Sequence, residues 1–274
     1  MLEAERAAQS AQQASIAPPD SALILRYVVD TLRWAGRFDL ALSSWHTLAS
    51  RLARQGSFPG CADVAGLLYL QLGRVDLAQP HLDAYLALPR TRRREQLRSS
   101  WVRACRACWS ATPPAHIDWP DDALHCEDLA LASGWGLLSG LVGTSPWPPG
   151  EIAALADRCD AEGVALFSVA LRALQARRAM EAGDREAGAA LARSIERASA
   201  GLDLHGGTPW AALYLAQALQ LAAADDVARR VAQHGAAWVQ RAARDAMPPE
   251  FRDSFLHRNP VHGALLALAG RLGA

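Results

Sequence analysis

Cys105 and Cys108 stand in "WVRACRACWS", and His116, His125 and Cys126 follow by position 126. A zinc ion takes about four nitrogen or sulfur ligands in a tetrahedron. Cys105, Cys108 and Cys126 with one histidine, His125 being adjacent to Cys126, supply that set if the "PPAHIDWPDD" loop folds back. The same CxxC lies inside a helical pattern rather than on a turn. Apart from the adjacent His125–Cys126, it has no second paired motif. Cysteines in alanine-rich helices ordinarily serve as small core residues, so packing is the expectation. An all-α metal-binding enzyme or sensor is the alternative. Thioredoxin-type redox chemistry would need the CxxC at a strand-to-helix junction.

A second cluster is charged. "PRTRRREQLRSSWVRACR" holds seven arginines between 90 and 106 against one glutamate. Arg92, Arg93, Arg94 and Arg98, with Trp101 for stacking, form a surface suited to nucleic-acid phosphates or to an acidic protein. Arginine stems also cover apolar surface on a solvated face. Positive and negative side chains are equal, 28 each, so net charge gives no support to nucleic-acid binding.

A third cluster, "PPEFRDSFLHRNPVHGALLALAGRL" at 248–272, offers His257, Arg258 and His262 as a binding surface. Placed in order, its parts read as punctuation. Two prolines stop a helix, "EFRDSFLHR" forms a short one, and Asn259 caps the last with Pro260 at its first position. Phe251, Phe255 and Leu256 are spaced to pack on the preceding helix. Trp119 and Trp147 sit beside prolines in loops, where an indole either plugs a stack or lines a groove. Trp34, Trp45 and Trp238 read as core. Asp121, Asp122, Asp225 and Asp226 fall at helix starts, where capping explains them. No carboxylate pair, nucleophile–base set or Gly-rich phosphate loop supports a named reaction. "GLLSGLVG" at 136–143 lacks the preceding strand that a phosphate cradle requires. No enzyme activity and no cofactor are expected.

The elements that must position these residues are helices. Just over half of the 274 residues are hydrophobic, alanine and leucine dominate, and β-branched residues are sparse. Residues 1–20 form a polar segment, either a short helix or disordered. Helix then follows helix from 21 to 272. "GRFDLA" at 36–41 recurs as "GRVDLA" at 73–78, and "AGD" at 182–184 has the same shape. In each, glycine sits just past an apolar helix, where a left-handed cap costs little, and aspartate opens or caps the next one. A two-helix unit cannot bury its apolar face alone, and stacked neighbours would bury it. A proline-rich break near 112–122, or the one near 143–150, is where the array would subdivide. Thr208 with Pro209 marks a further helix start.

These turns resemble those of tetratricopeptide-type repeats. The ending at 248–268 is similar to that of C-terminal helical-repeat regions in large bacterial ATPase-type transcriptional regulators of signal transduction. The resemblance implies an all-α helical-repeat solenoid serving as a non-enzymatic interaction or sensor module, regulatory in role. It also implies a protein or peptide partner. The chain contains no lysine, hence no "GKS" or "GKT" phosphate loop, and shows no helix-turn-helix. No run reaches the roughly 18 apolar residues of a membrane span. The N-terminus lacks a signal-peptide pattern, and the five cysteines show no disulfide-framework spacing. A cytoplasmic location is therefore expected. Oligomeric state is not legible.

Overall fold

The computed structural model describes residues 18–55, 61–110, 117, 119–143, 147–202 and 204–273. Over these residues the chain is all-α, with thirteen α-helices, three short 3₁₀ turns and no strand. It divides into two compact units. One comprises Met1–Thr112 with Arg241–Asn259, the other Pro113–Gln240 with Pro260–Ala274.

The first unit contains α1 (Pro18–Trp34), α2 (Phe38–Gln55), α3 (Ala62–Gln71), α4 (Val75–Leu86) and α5 (Arg93–Trp109). Every residue of α3 is buried, and the helix packs on α1, α2, α4 and α5. Its sequence, "ADVAGLLYLQ", is apolar nearly all round, the pattern of a helix enclosed on every side. By contrast, α2 carries its apolar residues on one face, burying Phe38, Leu42, Trp45 and Leu48 while Ser43, His46 and Ser50 stay in water.

The last part of this unit arrives late in the chain. After α11 (Asp225–Asp245), a 3₁₀ turn at Pro249–Phe251 leads into α12 (Arg252–His257). Phe255 meets the Phe38 ring edge-on at 5.0 Å, and Phe251 lies 6.3 Å from the ring of Tyr69. Thus both phenylalanines close over the N-terminal helices of their unit. The expected packing on the preceding helix does not include these contacts. Ser254 Oγ sits 2.7 Å from the Leu72 carbonyl oxygen, and Asn259 Nδ2 donates to the carbonyl of Gln71 at 2.8 Å. The amide of Asn259 therefore ties the end of α3, besides preceding the last helix.

The second unit contains α6 (Leu129–Val142), α7 (Pro149–Ala161), α8 (Ala165–Glu181), α9 (Arg185–Ser199), α10 (Thr208–Leu221), most of α11, and α13 (Pro260–Gly273). Its centre is α8, packed on α6, α7, α9 and α10, while α10 also packs on α9 and α13. In both units, alternate helices touch as well as consecutive ones: α1–α3–α5 and α6–α8–α10. Thr208 is the first helical residue of α10 and Pro209 the second. The 3₁₀ turn His205–Gly207 runs directly into the helix, so Thr208 takes helical angles and is not the cap.

The echo in the sequence is one turn used five times. Arg37 N–H donates to the Leu32 carbonyl, Arg74 to Tyr69, Val164 to Cys159, Asp184 to Ala179 and Ala224 to Leu219, each five residues back. The residue before each donor is left-handed, namely Gly36, Gly73, Gly163, Gly183 and Ala223. This is the Schellman ending, in which a left-handed residue lets the last carbonyls find donors. In the first two copies the arginine also grips the aspartate two residues on. Arg37 Nε lies 3.4 Å from Asp39 and Arg74 Nε 2.8 Å from Asp76.

Candidate functional site

In the second unit, close helix packing builds a groove. On α6, a Cβ at Gly136 would stand 2.7 Å from the Leu171 side chain, and one at Gly140 2.5 Å from Leu174 and 2.9 Å from Tyr214. These glycines let α8 and α10 approach α6 closely; their role is helix contact and not phosphate cradling. Tyr214 of α10 can then reach across, and its buried hydroxyl donates to the Leu137 carbonyl at 2.6 Å.

The end of α6 presents carbonyls that its own helix cannot satisfy, and arginines from α8 take them. Arg177 donates to Gly140 O at 2.9 Å, and Arg178 to Ser139 O at 3.1 Å and Gly143 O at 3.3 Å. Both arginines share one carboxylate, Glu181, at 3.1 and 3.4 Å. The Arg177 guanidinium also lies over the Tyr214 ring at 5.3 Å. Burial, then the charge of Arg177, pull the Arg178 pKa below the ordinary arginine value.

Beside this cluster runs a groove of about 600 Å³. Faces of α6, α8 and α10 form it, with Ala264 of α13 at one side. Arg177 Nη1 donates to Gln217 Oε1 at 2.7 Å. That bond holds the amide of Gln217 at the groove wall. Gln220 and Leu221 continue the wall, and Leu221 is 48% exposed, unusual for a large apolar residue. The groove thus combines an exposed leucine, half-buried Leu141 and the side-chain amides of Gln217 and Gln220. The signals for it were the GxxxG of 136–140 and the adjacent arginines at 177 and 178.

The first unit holds a second polar cluster, in which three arginines meet two aspartates. Asp63, fully buried in α3, accepts from Arg26 and from Arg98 Nε at 2.7 Å through one oxygen, Oδ2. Arg98 also reaches Asp30 at 3.4 Å, and Asp30 pairs with Arg33 at 3.1 Å. Burial alone would raise the Asp63 pKa. The charges of Arg98 and Arg26 outweigh it and hold the carboxyl below its ordinary value. A single acid inside the apolar run "CADVAGLLYL" was the available signal.

This cluster corrects the reading of the arginine-rich helix. Arg98 is bound internally, Arg106 pairs with Asp83 at 2.8 Å, and Arg90 lies over Tyr85 at 4.0 Å while donating to its carbonyl. Arg92, Arg93 and Arg94 are exposed around the start of α5, and Trp101 is half-buried. Trp147 is likewise spent inside its unit. It is buried 5.2 Å from Trp119 and 6.5 Å from the fully buried Trp135, and Trp119 meets Trp135 at 5.1 Å. The loop tryptophans are therefore plugs, with Trp119 half-exposed at the edge. His257 and Arg258 are exposed in the first unit, whereas His262 is buried in the second, so His262 contributes no surface. Trp45 is core, and Trp34 and Trp238 are half-buried.

Cys105 and Cys126 are buried and His125 is exposed; the first cysteine belongs to one unit and the other two residues to the other. Burial raises the thiol pKa of Cys105, and that of Cys108 to about 12, which disfavours the thiolate that zinc needs. The Cys126 thiol donates to the Asp128 carbonyl at 3.2 Å. His116 lies outside the described residues. Among the described residues, no group of three or more His, Cys, Asp or Glu could hold a metal ion, and no helix is long and apolar enough to cross a membrane. Compared with known proteins, the chain matches no family model, no curated protein and no solved structure.

Proposed function

We propose that the chain is a non-enzymatic helical-repeat interaction module of tetratricopeptide-like kind, regulatory in role, that takes a protein or peptide segment in the groove of its second unit. The observation that carries this reading is the groove crossing α6, α8 and α10, three alternate helices of one stack. Faces of successive repeats are where stacked helix pairs bind extended partners. Its chemistry suits a peptide. The side-chain amides of Gln217 and Gln220 match a peptide backbone, and Leu221 with half-buried Leu141 offers apolar contact to a side chain.

Selection of linear peptides of about ten residues from a random display library tests it. Gln217→Ala and Leu221→Glu are expected to weaken selected peptides at least about tenfold, roughly 1.4 kcal/mol each. Arg229→Glu, on exposed α11, is expected to leave them unchanged. Selected peptides that bind all three variants as well as the native protein would overturn the proposal.

A further inference from the structure

A separate cleft of about 210 Å³ opens between α8, α9, α10 and α11 of the second unit, and it shares no lining residue with the peptide groove. Its walls are apolar and short: Val169, Leu204, Ala211, Ala212, Leu215 and Val231. Small side chains leave the space, and Leu202 at its edge is 48% exposed. An apolar cavity of about 150 Å³ accommodates benzene. This one therefore has room for a ring or a branched aliphatic side chain with a short polar head.

The mouth carries opposite charges on opposite walls. Glu196 stands on α9 and Arg230 on α11, with Oε1 and Nη2 4.0 Å apart, at the limit of ion-pair contact. Arg230 is 63% exposed and Glu196 32%, so little is lost by parting them. His234, one turn along α11 from Arg230, adds ring nitrogens on the cation's side. A ligand bearing only a carboxylate would satisfy Arg230 and face Glu196. One bearing only an amine would do the reverse.

From these positions we propose that the cleft binds a hydrophobic α-amino acid. The carboxylate sits at Arg230 and His234, the ammonium at Glu196, and the side chain against Leu204, Leu215 and Val231. Its zwitterionic head replaces one long ion pair with two close ones, and its side chain is removed from water. The site would make the module a sensor of a small apolar effector. It rests on different residues from the peptide groove, so either assignment stands without the other.

Calorimetric titration and thermal melts of the full chain with L-phenylalanine and L-leucine test the assignment. Both amino acids are expected to bind and to raise the melting temperature, while glycine does neither. Phenylacetate and 2-phenylethylamine, each carrying half of the head group, are expected to bind at least about tenfold more weakly, as are Arg230→Gln and Glu196→Gln with L-phenylalanine. Arg230 is exposed, Glu196 is part-exposed, and their own pairing is long, so unliganded melts close to the native one are expected and establish that the variants are folded. Absence of binding by both amino acids at millimolar concentration would overturn the proposal. So would phenylacetate binding as tightly as L-phenylalanine, or native affinity in both variants.

Discussion

The carbonyl oxygen of Ser254 occupies the space that a side chain at Gly73 would need. A Cβ built there would stand 2.1 Å from that oxygen, and Gly73 already holds a left-handed φ of 73°. Gly183 holds a φ of 100° in the corresponding turn, yet nothing lies within 4 Å of its missing Cβ. Two glycines of one motif are thus held for different reasons, the first for conformation and contact, the second for conformation alone. Gly183→Ala should cost about 1 kcal/mol, and Gly73→Ala at least about 3 kcal/mol, because backbone must also move. Urea melts of the two variants check the difference, and equal losses would show that the Ser254 contact carries no strain.

Ala223 gives the converse case. It holds the left-handed position of the fifth turn at φ 54°, where the other four turns have glycine. Its Cβ therefore bears the steric cost of that conformation. Ala223→Gly relieves it, partly offset by the greater freedom of glycine in the unfolded chain. The net gain should be about 0.5 kcal/mol, read as a rise of roughly 1–2 °C in the melting transition. A fall on substitution would mean that the turn does not strain its alanine.

Asp63 should be the residue whose loss costs the first unit most among its charges. Asp63→Asn leaves Arg98 and Arg26 without their shared buried carboxylate, at a cost of about 3 kcal/mol. The pH dependence follows from the sign of its shift. Its pKa is lower in the folded protein than in the unfolded one, so the unfolded chain binds the proton more readily. The native protein's advantage over Asp63→Asn is then fully present at pH 7 and shrinks as pH falls below about 4. Paired denaturant melts at pH 7 and pH 3 measure it. A gap that stays constant would assign the loss to packing instead of charge.

Much of the helical order was legible because its signals are local. Gly36, Gly73 and Gly183 announce their turns within six residues, and Pro248 with Pro249 marks where α11 must have ended. Thr208 was misplaced by one position because a 3₁₀ turn before it has no sequence mark of its own. The candidate sites were far less legible. Tyr214 reaches Leu137, 77 residues away, and Asp63 meets Arg26 and Arg98 across 37 and 35 residues. Spacing along one helix carries no information about such meetings. The same gap explains the arginine-rich helix, where a count of charges does not separate Arg98 and Arg106, which have partners on other helices, from the exposed Arg92, Arg93 and Arg94. It also explains Trp147, whose loop position suggested exposure and whose neighbours bury it.

The first unit is interrupted between Thr112 and Arg241 by most of the second. During synthesis, α1 to α5 leave the ribosome well before Phe251, Ser254 and Phe255 exist to cover them. At roughly 5–20 residues per second, the wait is about 7 to 30 seconds. Throughout it, the apolar faces of Phe38 and Tyr69 lack their final lining, and the second unit's α6 to α10 emerge alongside them. The order of translation therefore makes the half-built first unit the stage at which a chaperone has most to hold.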